Sequence, residues 1–332
     1  MQIVNPDLTK QKRIILRFDI DVPIEQGRVV DDFRLKTGLP TLTLCLENAS
    51  SVVMMGHVGR PASTSASLGG PAGKDLEFSV QPVYNWFIEQ GFKPDFESGK
   101  LKLLENLRFE PGEEAGDLSY AKKLAEYGDF FVFEAFAAYR PAASTTVLPT
   151  LLPHAAGLQF AKEVEKINQV RENPEKPLVV IMGGAKVADK LPVITTLAQK
   201  ADTVLVGGKL VAEIQDKKID LPSNVMVAKM TTDGFDINEE TVLAWESIIK
   251  EAKMIVWNGP LGKTEDPKNT ATKKVAQLII DSRADSIVGG GDTTGALQSW
   301  GMIDKFSFVS TGGGAMLKLL TDGTLPTIQA LA

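Results

Sequence analysis

Basic side chains follow several short apolar runs in the first half of the chain. They are Arg34 in VVDDFRLK, His57 and Arg60 in MMGHVGRP, Arg108 in LENLRF and Arg140 in AAYRPAAS. Guanidinium groups bind two oxygens of a phosphate or carboxylate at once and stay charged at physiological pH. Each arginine alone is more typical of a solvated or salt-bridged surface residue, but the set predicts one anion-binding site.

Glycine-rich stretches end four apolar runs in the second half of the chain. They are MGGAKVADK at 182–190, LVGGK at 205–209, VGGGDTTG at 288–295 and VSTGGGA at 309–315. Glycine permits close backbone approach, and a helix that starts after such a loop points free N–H groups at phosphate. Lys186 and Lys190 are four residues apart and would share one face of such a helix. The pattern predicts a polyphosphate site.

Asp292 follows three of these glycines. A carboxylate at this place could hold Mg²⁺, with nucleotide phosphates completing the coordination shell. The alternative is that Asp292 only caps the helix, with Thr293 in its first turn. The glycine-rich context favours the metal.

Two other nucleotide-binding motifs are only approximated. Gly262-Lys263-Thr264 matches the end of a P-loop, but Trp257 occupies the position that requires a glycine. The last glycine of GGGDTTG comes one position too late for the dinucleotide fingerprint. Without this fingerprint, the main sequence evidence for a dehydrogenase is missing.

Elements that could position these residues alternate as short apolar runs and helix-like stretches, which predicts an α/β fold with parallel sheets. The predicted strands are RIILRF, SVVMMG, LKLLE, DFFVFEAF, LVVIMGG, TVLVGG, NVMVAK, MIVWNG, SIVGGG and FSFVST. In open α/β sheets, ligands bind beyond the carboxyl ends of strands, which is where the basic and glycine-rich motifs lie. The Ser/Gly/Ala-rich segment from Ala62 to Lys74 is predicted to be a mobile loop.

The 332 residues are enough for about two domains. A net charge of -6 argues against nucleic acid as the main partner. The single cysteine, Cys45, excludes an intrachain disulfide and is interpreted as a buried core thiol. No run reaches the ~18 apolar residues of a membrane span, so we expect a cytoplasmic protein without a membrane contact.

Together and in this order, the motifs resemble those of the phosphoglycerate kinase family. The resemblance runs from RFDIDVP at residue 17 to TDGTLP at residue 326. It implies two doubly wound, Rossmann-like parallel-sheet lobes that are joined by a helix and hinge, with a cleft between them. Residues 1–155 would form the substrate lobe and 156–315 the nucleotide lobe, with a connecting helix at about 160–173. The tail, 316–332, would return to the first lobe.

The resemblance also implies an activity, which is reversible transfer of the acyl phosphate of 1,3-bisphosphoglycerate to Mg-ADP, giving ATP and 3-phosphoglycerate. The implied substrate residues are Asp19, Asp21, Arg34, His57, Gly59, Arg60, Arg108 and Arg140. The implied nucleotide residues are Gly183, Gly184, Lys186, Lys190, Gly207, Gly208, Asn258, Glu265, Gly290, Gly291, Asp292 and Thr293.

Within that set the resemblance implies particular roles. Glu265 would bind the ribose hydroxyls and Asp292 the Mg²⁺ ion. The charge of the transferring phosphoryl group would be stabilised by Arg34, Lys186 and Lys190 and by the backbone N–H groups of Gly312 and Gly313. Family members usually work as monomers, which is the state we expect.

Several positions depart from the family pattern. Asp21 replaces an asparagine and puts a second carboxylate beside an anionic substrate, which should weaken binding unless it is turned away or paired. The His-Arg-x-His motif is reduced to Tyr139-Arg140-Pro141-Ala142, and Arg140 could be displaced. Lys209 and the pair Lys263-Thr264 add polarity near the nucleotide. The chain is shortened mainly between Gly208 and Asp236.

Three hypotheses follow. The first is an active phosphoglycerate kinase. The second is a catalytically degenerate homologue that binds nucleotide or phosphate without turnover. The third is a related kinase for another phosphorylated acid, since the altered substrate wall could accept a different molecule behind the same phosphate anchor.

Overall fold

A computed structural model describes residues 1–61, 76–184 and 187–332. Backbone contacts divide the chain into unit 1, Met1–Glu163 with Thr324–Ala332, and unit 2, Val164–Gly323. The loop predicted from Ala62 to Lys74 and the predicted site residue Lys186 lie outside the described residues. The functional lobes drawn at residues 155 and 316 stay predictions.

The described residues form thirteen strands and fourteen α-helices, besides short 3₁₀ and π-helical turns such as the one at Ala143–Val147. The strands are β1 Arg13–Phe18, β2 Ile24–Glu25, β3 Arg28–Val29, β4 Ser51–Met55, β5 Leu101–Leu103, β6 Phe130–Glu134, β7 His154–Ala156, β8 Leu178–Met182, β9 Thr203–Val206, β10 Val225–Val227, β11 Met254–Asn258, β12 Asp285–Gly289 and β13 Phe308–Val309. The helices are α1 Pro6–Thr9, α2 Phe33–Asn48, α3 Gln81–Phe87, α4 Lys93–Glu97, α5 Pro111–Glu114, α6 Leu118–Ala125, α7 Leu158–Glu172, α8 Val187–Ala198, α9 Leu210–Asp216, α10 Glu239–Glu251, α11 Ala271–Ser282, α12 Gly291–Ser299, α13 Gly313–Asp322 and α14 Pro326–Ala330.

Unit 1 contains a five-stranded parallel sheet in the order β5-β4-β1-β6-β7, and β2 pairs with β3 as a separate antiparallel hairpin. Its central strand β1 is buried from its second residue onward, as is β6 throughout. Burial on both faces explains why these strands are nearly continuous apolar runs. Cys45 is buried on α2, where burial raises the pKa of the thiol to about 12, as expected of a core residue.

Unit 2 contains a six-stranded parallel sheet in the order β10-β9-β8-β11-β12-β13. Strand order reverses between β8 and β11, both of which are buried at every residue. In unit 1 the order reverses between β1 and β6. Such switch points are where open α/β sheets bind ligands, so each unit has one preferred edge for a site.

The start of α7 is held by a buried carboxylate at the end of β6. Glu134 accepts hydrogen bonds from the backbone N–H groups of Gln159 and Phe160 at 2.9 and 3.0 Å and from the Thr41 hydroxyl at 2.8 Å. Burial raises the pKa of Glu134 to about 7, while these three donors favour the ionised form. Helix α7 therefore begins at a defined place, because its first free N–H groups are satisfied.

The predicted α/β class with two doubly wound parallel sheets is confirmed, and all ten predicted strands are present. The connecting helix expected at about 160–173 is α7. Strands β2, β3 and β7, of two or three residues each, were not predicted, because they do not lie in longer apolar runs. No helix in the described ranges is long and apolar enough to cross a membrane.

Helix α10 offers a test of where the core of unit 2 lies. Ile249 is fully buried and Leu243, on the same helix, is 61% exposed. We expect Ile249→Ala to lower the free energy of unfolding by about 2–5 kcal/mol, because it leaves a cavity. Leu243→Ala should change it by less than about 0.5 kcal/mol. Urea denaturation measures both, and equal losses would contradict the assigned packing.

Candidate active site

Asp21 lies at the centre of a polar cluster beyond the end of β1. Its Oδ1 accepts the Gly59 N–H at 2.8 Å, and its Oδ2 lies 3.6 Å from His57 Nε2 and 3.9 Å from Arg34 NH1. Arg34 also donates to the Asp21 carbonyl at 2.6 Å. Burial alone would raise the pKa of Asp21, but the contacts with His57, Gly59 and Arg34 outweigh it and hold that pKa well below its usual range. The unusual carboxylate is therefore ionised and paired.

Asp19 is the second acid of this cluster and is only 5% exposed. Its Oδ1 lies 3.8 Å from Arg34 NH1, whereas its Oδ2 has no hydrogen-bond donor among the described residues. A buried carboxylate oxygen without a donor costs stability, and such groups are rare in folded proteins. Because this oxygen is enclosed in the protein, a ligand hydroxyl could donate to it only after neighbouring groups move.

Gly59 joins the loop after β4 to this cluster. Its φ of +60° suits glycine, and a Cβ at this position would lie 2.6 Å from the Phe78 ring. Its carbonyl accepts a hydrogen bond from Arg108 NH1 at 2.6 Å, and Arg108 Nε lies 3.2 Å from Glu114. Gly59 thus contacts both Arg108 and Asp21, two residues that the sequence places after different strands.

Arg17 belongs to the same cluster and was not predicted. It is 1% exposed, and its NH2 lies 2.7 Å from His57 Nδ1. The sequence signal was the charged residue inside the apolar strand RIILRF, since charged side chains are almost never fully buried unless paired. Arg60 and Arg140 are exposed, and no hydrogen bond or ion pair among the described residues joins their side chains to the cluster. The structure thus gathers Asp19, Asp21, Arg34, His57, Gly59 and Arg108, but not these two arginines.

Lys190 lies at the switch point of unit 2. Its Nζ donates to the Gly183 carbonyl at the end of β8 and lies 3.3 Å from Asn258 Oδ1 at the end of β11. Gly259 has a φ of +94°, and a Cβ there would lie 2.3 Å from the Gly183 oxygen and 2.7 Å from Lys190 Nζ. Glycine is required at 259 because the two loops approach so closely.

The pocket around Lys190 is lined by Gly184, Lys190, Asn258, Gly259, Pro260, Gly290, Gly291, Asp292 and Thr293. Burial lowers the pKa of Lys190 to about 8, with the charge of Asp292 opposing the shift. A partly buried ammonium without a carboxylate in direct contact is under-compensated, so an anion entering this pocket would be stabilised.

Asp292 lies in the first turn of α12, whose N-cap residue is Gly290. No side chain caps this helix, so the alternative that Asp292 serves as an N-cap is not what the structure shows. Its carboxylate is exposed and lines the Lys190 pocket. Thr293 is fully buried, and its hydroxyl accepts the Gly259 N–H at 3.0 Å, so its side chain holds the loop.

The loop after β13 differs from the expectation in one respect. The Gly312 N–H donates to the Ser310 hydroxyl at 3.3 Å, a contact that it would have to exchange to stabilise a phosphoryl group. Gly313 is the first residue of α13, and a Cβ there would lie 2.4 Å from the Gly290 nitrogen. Gly312 is the N-cap residue of α13 and Gly313 lies in its first turn, and both N–H groups stay predicted donors.

A second cavity of about 300 Å³ continues from the Lys190 pocket, with which it shares Gly184, Pro260 and Asp292. Its lining includes Gly208, Lys209, Phe235, Lys263 and Glu265. Lys263 Nζ lies 5.7 Å from the centre of the Phe235 ring. Lys209 and Lys263 therefore line the same cavity as Glu265, which adds the polarity expected from the sequence.

Two doubly wound units, one with a basic cluster and one with a lysine in a glycine-lined pocket, are typical of a phosphotransferase. The sequence profile described as phosphoglycerate kinase matches residues 5–219 and 211–323. The chain belongs to the phosphoglycerate kinase family. The two matched segments overlap at 211–219, inside the stretch from Gly208 to Asp236 where the sequence indicated a shortening.

Individual relatives agree with this assignment over nearly the whole chain. Phosphoglycerate kinase of Herpetosiphon aurantiacus is 35% identical, covering 96% of this chain and 96% of the relative. That of Thermomicrobium roseum is 33% identical, covering 100% and 99%. The solved structure of the Coxiella burnetii phosphoglycerate kinase has a TM-score of 0.79 at 30% identity, covering 98% and 97%. That of Pyrococcus horikoshii OT3 has a TM-score of 0.83 at 24% identity, covering 100% and 98%, and shows the fold.

The charge of Asp21 gives a pH-dependent prediction. A carboxyl whose folded-state pKa is lowered adds stability above its unfolded pKa of about 3.9, and this stability is lost as pH falls further. We expect Asp21→Asn to lower the free energy of unfolding by about 1 kcal/mol at neutral pH, a figure reduced for solvent screening. The difference from wild type should shrink below about pH 4.

Urea titrations from neutral to acidic pH check this prediction. Asp129→Asn is the matched control, because Asp129 pairs with Arg13 at 2.6 Å but both side chains are about half exposed. Its effect should be smaller, since surface ion pairs contribute little. An Asp21→Asn effect that does not change with pH would mean that Asp21 is not ionised in the cluster.

Proposed function

We propose that the chain catalyses reversible transfer of the acyl phosphate of 1,3-bisphosphoglycerate to Mg-ADP, giving ATP and 3-phosphoglycerate. The observation that carries this proposal is the partly buried ammonium of Lys190, which lies between two glycine loops at the switch point of unit 2 and contacts only neutral oxygens among the described residues. Family membership supports the reaction. Phosphoryl transfer relies mainly on positioning and charge stabilisation, which these groups can supply.

The cluster of unit 1 suits a phosphorylated hydroxy acid. Arg34 and Arg108 provide guanidinium groups for phosphate or carboxylate oxygens, and His57 lies beside them. Asp19 stays a predicted substrate residue, since its enclosed Oδ2 would accept a hydrogen bond from the hydroxyl of 3-phosphoglycerate only after neighbouring groups move. Arg60 and Arg140, both exposed, stay predicted substrate residues that would have to turn toward the ligand.

The loops of unit 2 suit the phosphates of a nucleotide. Lys190 would exchange its contacts with Gly183 and Asn258 for phosphate oxygens. The first turn of α12, at Gly290 and Gly291, offers backbone N–H groups. The adjoining cavity with Phe235 and Glu265 has room for the nucleoside, with Glu265 proposed for the ribose. Gly207, Gly208 and Lys186 keep their predicted nucleotide roles.

Asp292 fits the proposed Mg²⁺ ion, because Mg²⁺ takes one or two carboxylates and completes its shell with phosphates and water. No group of three or more His, Cys, Asp or Glu side chains in the described parts of the chain is placed to hold a metal. Oxygen ligands from the nucleotide would therefore be needed. When bound, the ion would neutralise phosphate charge.

The pairing of Asp21 favours an active enzyme over a degenerate binding module. A degenerate binding module was suggested partly by an extra carboxylate beside an anionic substrate, and that carboxylate is held by Gly59, His57 and Arg34. A kinase for another phosphorylated acid would use the same cluster. We further propose that the protein is a cytoplasmic monomer without nucleic acid or membrane partners. Hinge bending stays a prediction of the family resemblance.

Turnover tests the proposal directly. We expect purified protein to form ATP from Mg-ADP and 1,3-bisphosphoglycerate, and Lys190→Ala to lower kcat by about 10²–10³-fold, because a charge stabiliser of the transferring group is lost. Lys250→Ala, which removes an exposed lysine of α10, is the matched control and should retain activity.

The other outcomes are distinct. Wild-type turnover in Lys190→Ala would overturn the role of Lys190. Folded wild-type protein that binds Mg-ADP without turnover would support the degenerate binding module. Faster turnover with a different acyl phosphate would support the related kinase.

The lowered pKa of Lys190 predicts how nucleotide binding depends on pH. Phosphate binds the protonated amine, whose pKa in the free protein is about 8. Affinity for Mg-ADP should be constant below about pH 7 and fall about tenfold per pH unit above about pH 9. Isothermal titration calorimetry measures this dependence. Lys190→Met should bind weakly with a flat profile, and a flat profile in wild type would contradict the assignment.

A further inference from the structure

Arg17 carries a positive charge into the interior of unit 1, where each part of its guanidinium has a partner. Its Nε donates to the Ser144 hydroxyl at 3.0 Å, its NH1 to the Phe18 carbonyl at 2.8 Å, and its NH2 lies 2.7 Å from His57 Nδ1. A buried charge is tolerated only when it is paired and hydrogen-bonded. The carboxylate that offsets this one is not in direct contact with it.

That carboxylate is Glu113 on α5, which is 2% exposed. One of its oxygens accepts the Ser144 backbone N–H at 3.0 Å, and the other accepts the Ser144 hydroxyl at 2.5 Å. Both oxygens act as acceptors, as an ionised carboxylate requires. Because the Ser144 hydroxyl gives its proton to Glu113, its oxygen is left to accept from Arg17.

The direction of these hydrogen bonds fixes the proton on His57. A guanidinium has only donors, so His57 Nδ1 facing Arg17 must be the unprotonated acceptor. The proton of the neutral ring is then on Nε2, which lies 3.6 Å from Asp21 Oδ2. The charged groups facing His57 are Arg17 from β1, Arg108 from the turn before α5, and Asp21.

A second proton on His57 is disfavoured by the same neighbours. It would place an Nδ1–H against the N–H of Arg17. Burial lowers the pKa of His57, the charges of Arg17 and Arg108 lower it further, and Asp21 opposes them. The ring is therefore neutral at physiological pH, with one donor and one acceptor in defined places.

We propose that Glu113 and Ser144 are positioning residues that act through Arg17 to hold His57 in its neutral Nε2–H tautomer, with the donor turned toward Asp21 and the anion-binding cluster. This rests on the proposed function only in assigning 3-phosphoglycerate to that cluster. This arrangement explains how the Asp21 carboxylate can lie beside an anionic substrate. Its two oxygens already face the Nε2–H of His57 and the N–H of Gly59.

Histidine NMR tests the relay without any activity measurement. The chain has two histidines, so the side-chain ¹H–¹⁵N spectrum is simple, and His154→Gln assigns the signals of His57. Wild-type protein should show the Nε2–H tautomer and a pKa below the ordinary value of about 6.5. Ser144→Ala removes the link between Glu113 and Arg17, and Glu113→Gln removes the charge while keeping the shape. Both should give mixed tautomers, because the guanidinium of Arg17 is then no longer held against His57 Nδ1.

Thr146→Val is the matched control, because Thr146 follows on the same helical turn and its hydroxyl contacts only the Ala142 carbonyl at 3.1 Å among the described residues. It should leave the His57 signals unchanged. If Glu113→Gln does not fold, Ser144→Ala alone decides. His57 signals that stay wild-type in the folded variants would overturn the relay.

Kinetics separate the relay from the proposed function. Loss of a charge-assisted contact should raise the KM for 3-phosphoglycerate about tenfold in Ser144→Ala, with kcat and the KM for Mg-ATP little changed. A changed tautomer with an unchanged KM would support the relay and count against His57 as a substrate residue. An unchanged tautomer overturns the relay whatever the kinetics show.

Discussion

The arrangement of the site residues in unit 1 depends on the hydrogen bonds of the Arg17 guanidinium. A charge removed from water must be met by an opposite charge or by directed hydrogen bonds, and Arg17 takes these from three separate parts of the chain. Ser144 and Glu113 meet it on one side and His57 on the other. Removing any partner would leave a buried polar group unpaired, so the positions of these segments are interdependent.

In unit 2, the charge of the partly buried Lys190 is compensated less completely. Among the described residues, Lys190 has hydrogen-bond contacts only with the carbonyl oxygen of Gly183 and the side-chain oxygen of Asn258. Neutral oxygens do not offset the cost of burying an ammonium, and the pKa of Lys190 falls to about 8. An incompletely compensated positive charge therefore lies at the switch point of unit 2, and a bound polyphosphate would stabilise it. The cluster of unit 1 instead pairs its acids and bases with one another, and one oxygen of Asp19 has no donor among the described residues.

Much of this could be predicted from the sequence, because parallel strands bring their carboxyl ends to one edge. That rule placed Arg34, His57 and Arg108 together and made glycine loops neighbours in unit 2. It could not place Arg17, whose partners Ser144 and Glu113 are more than 90 residues away and become neighbours only through packing. The hydrogen bond from Gly312 to Ser310 was equally hidden, because backbone conformation within a glycine run cannot be derived from composition.

The central claim is that unit 1 binds the phosphorylated acid and unit 2 binds the nucleotide. Hydrogen–deuterium exchange measured with each ligand alone tests it most directly. The account predicts that 3-phosphoglycerate slows exchange in peptides covering 19–22, 56–60 and 106–109. Mg-ADP should slow it in peptides covering 183–184, 207–209, 258–263 and 290–293. Protection of unit 2 by 3-phosphoglycerate alone, or of the unit 1 cluster by Mg-ADP alone, would contradict the assignment of the two sites.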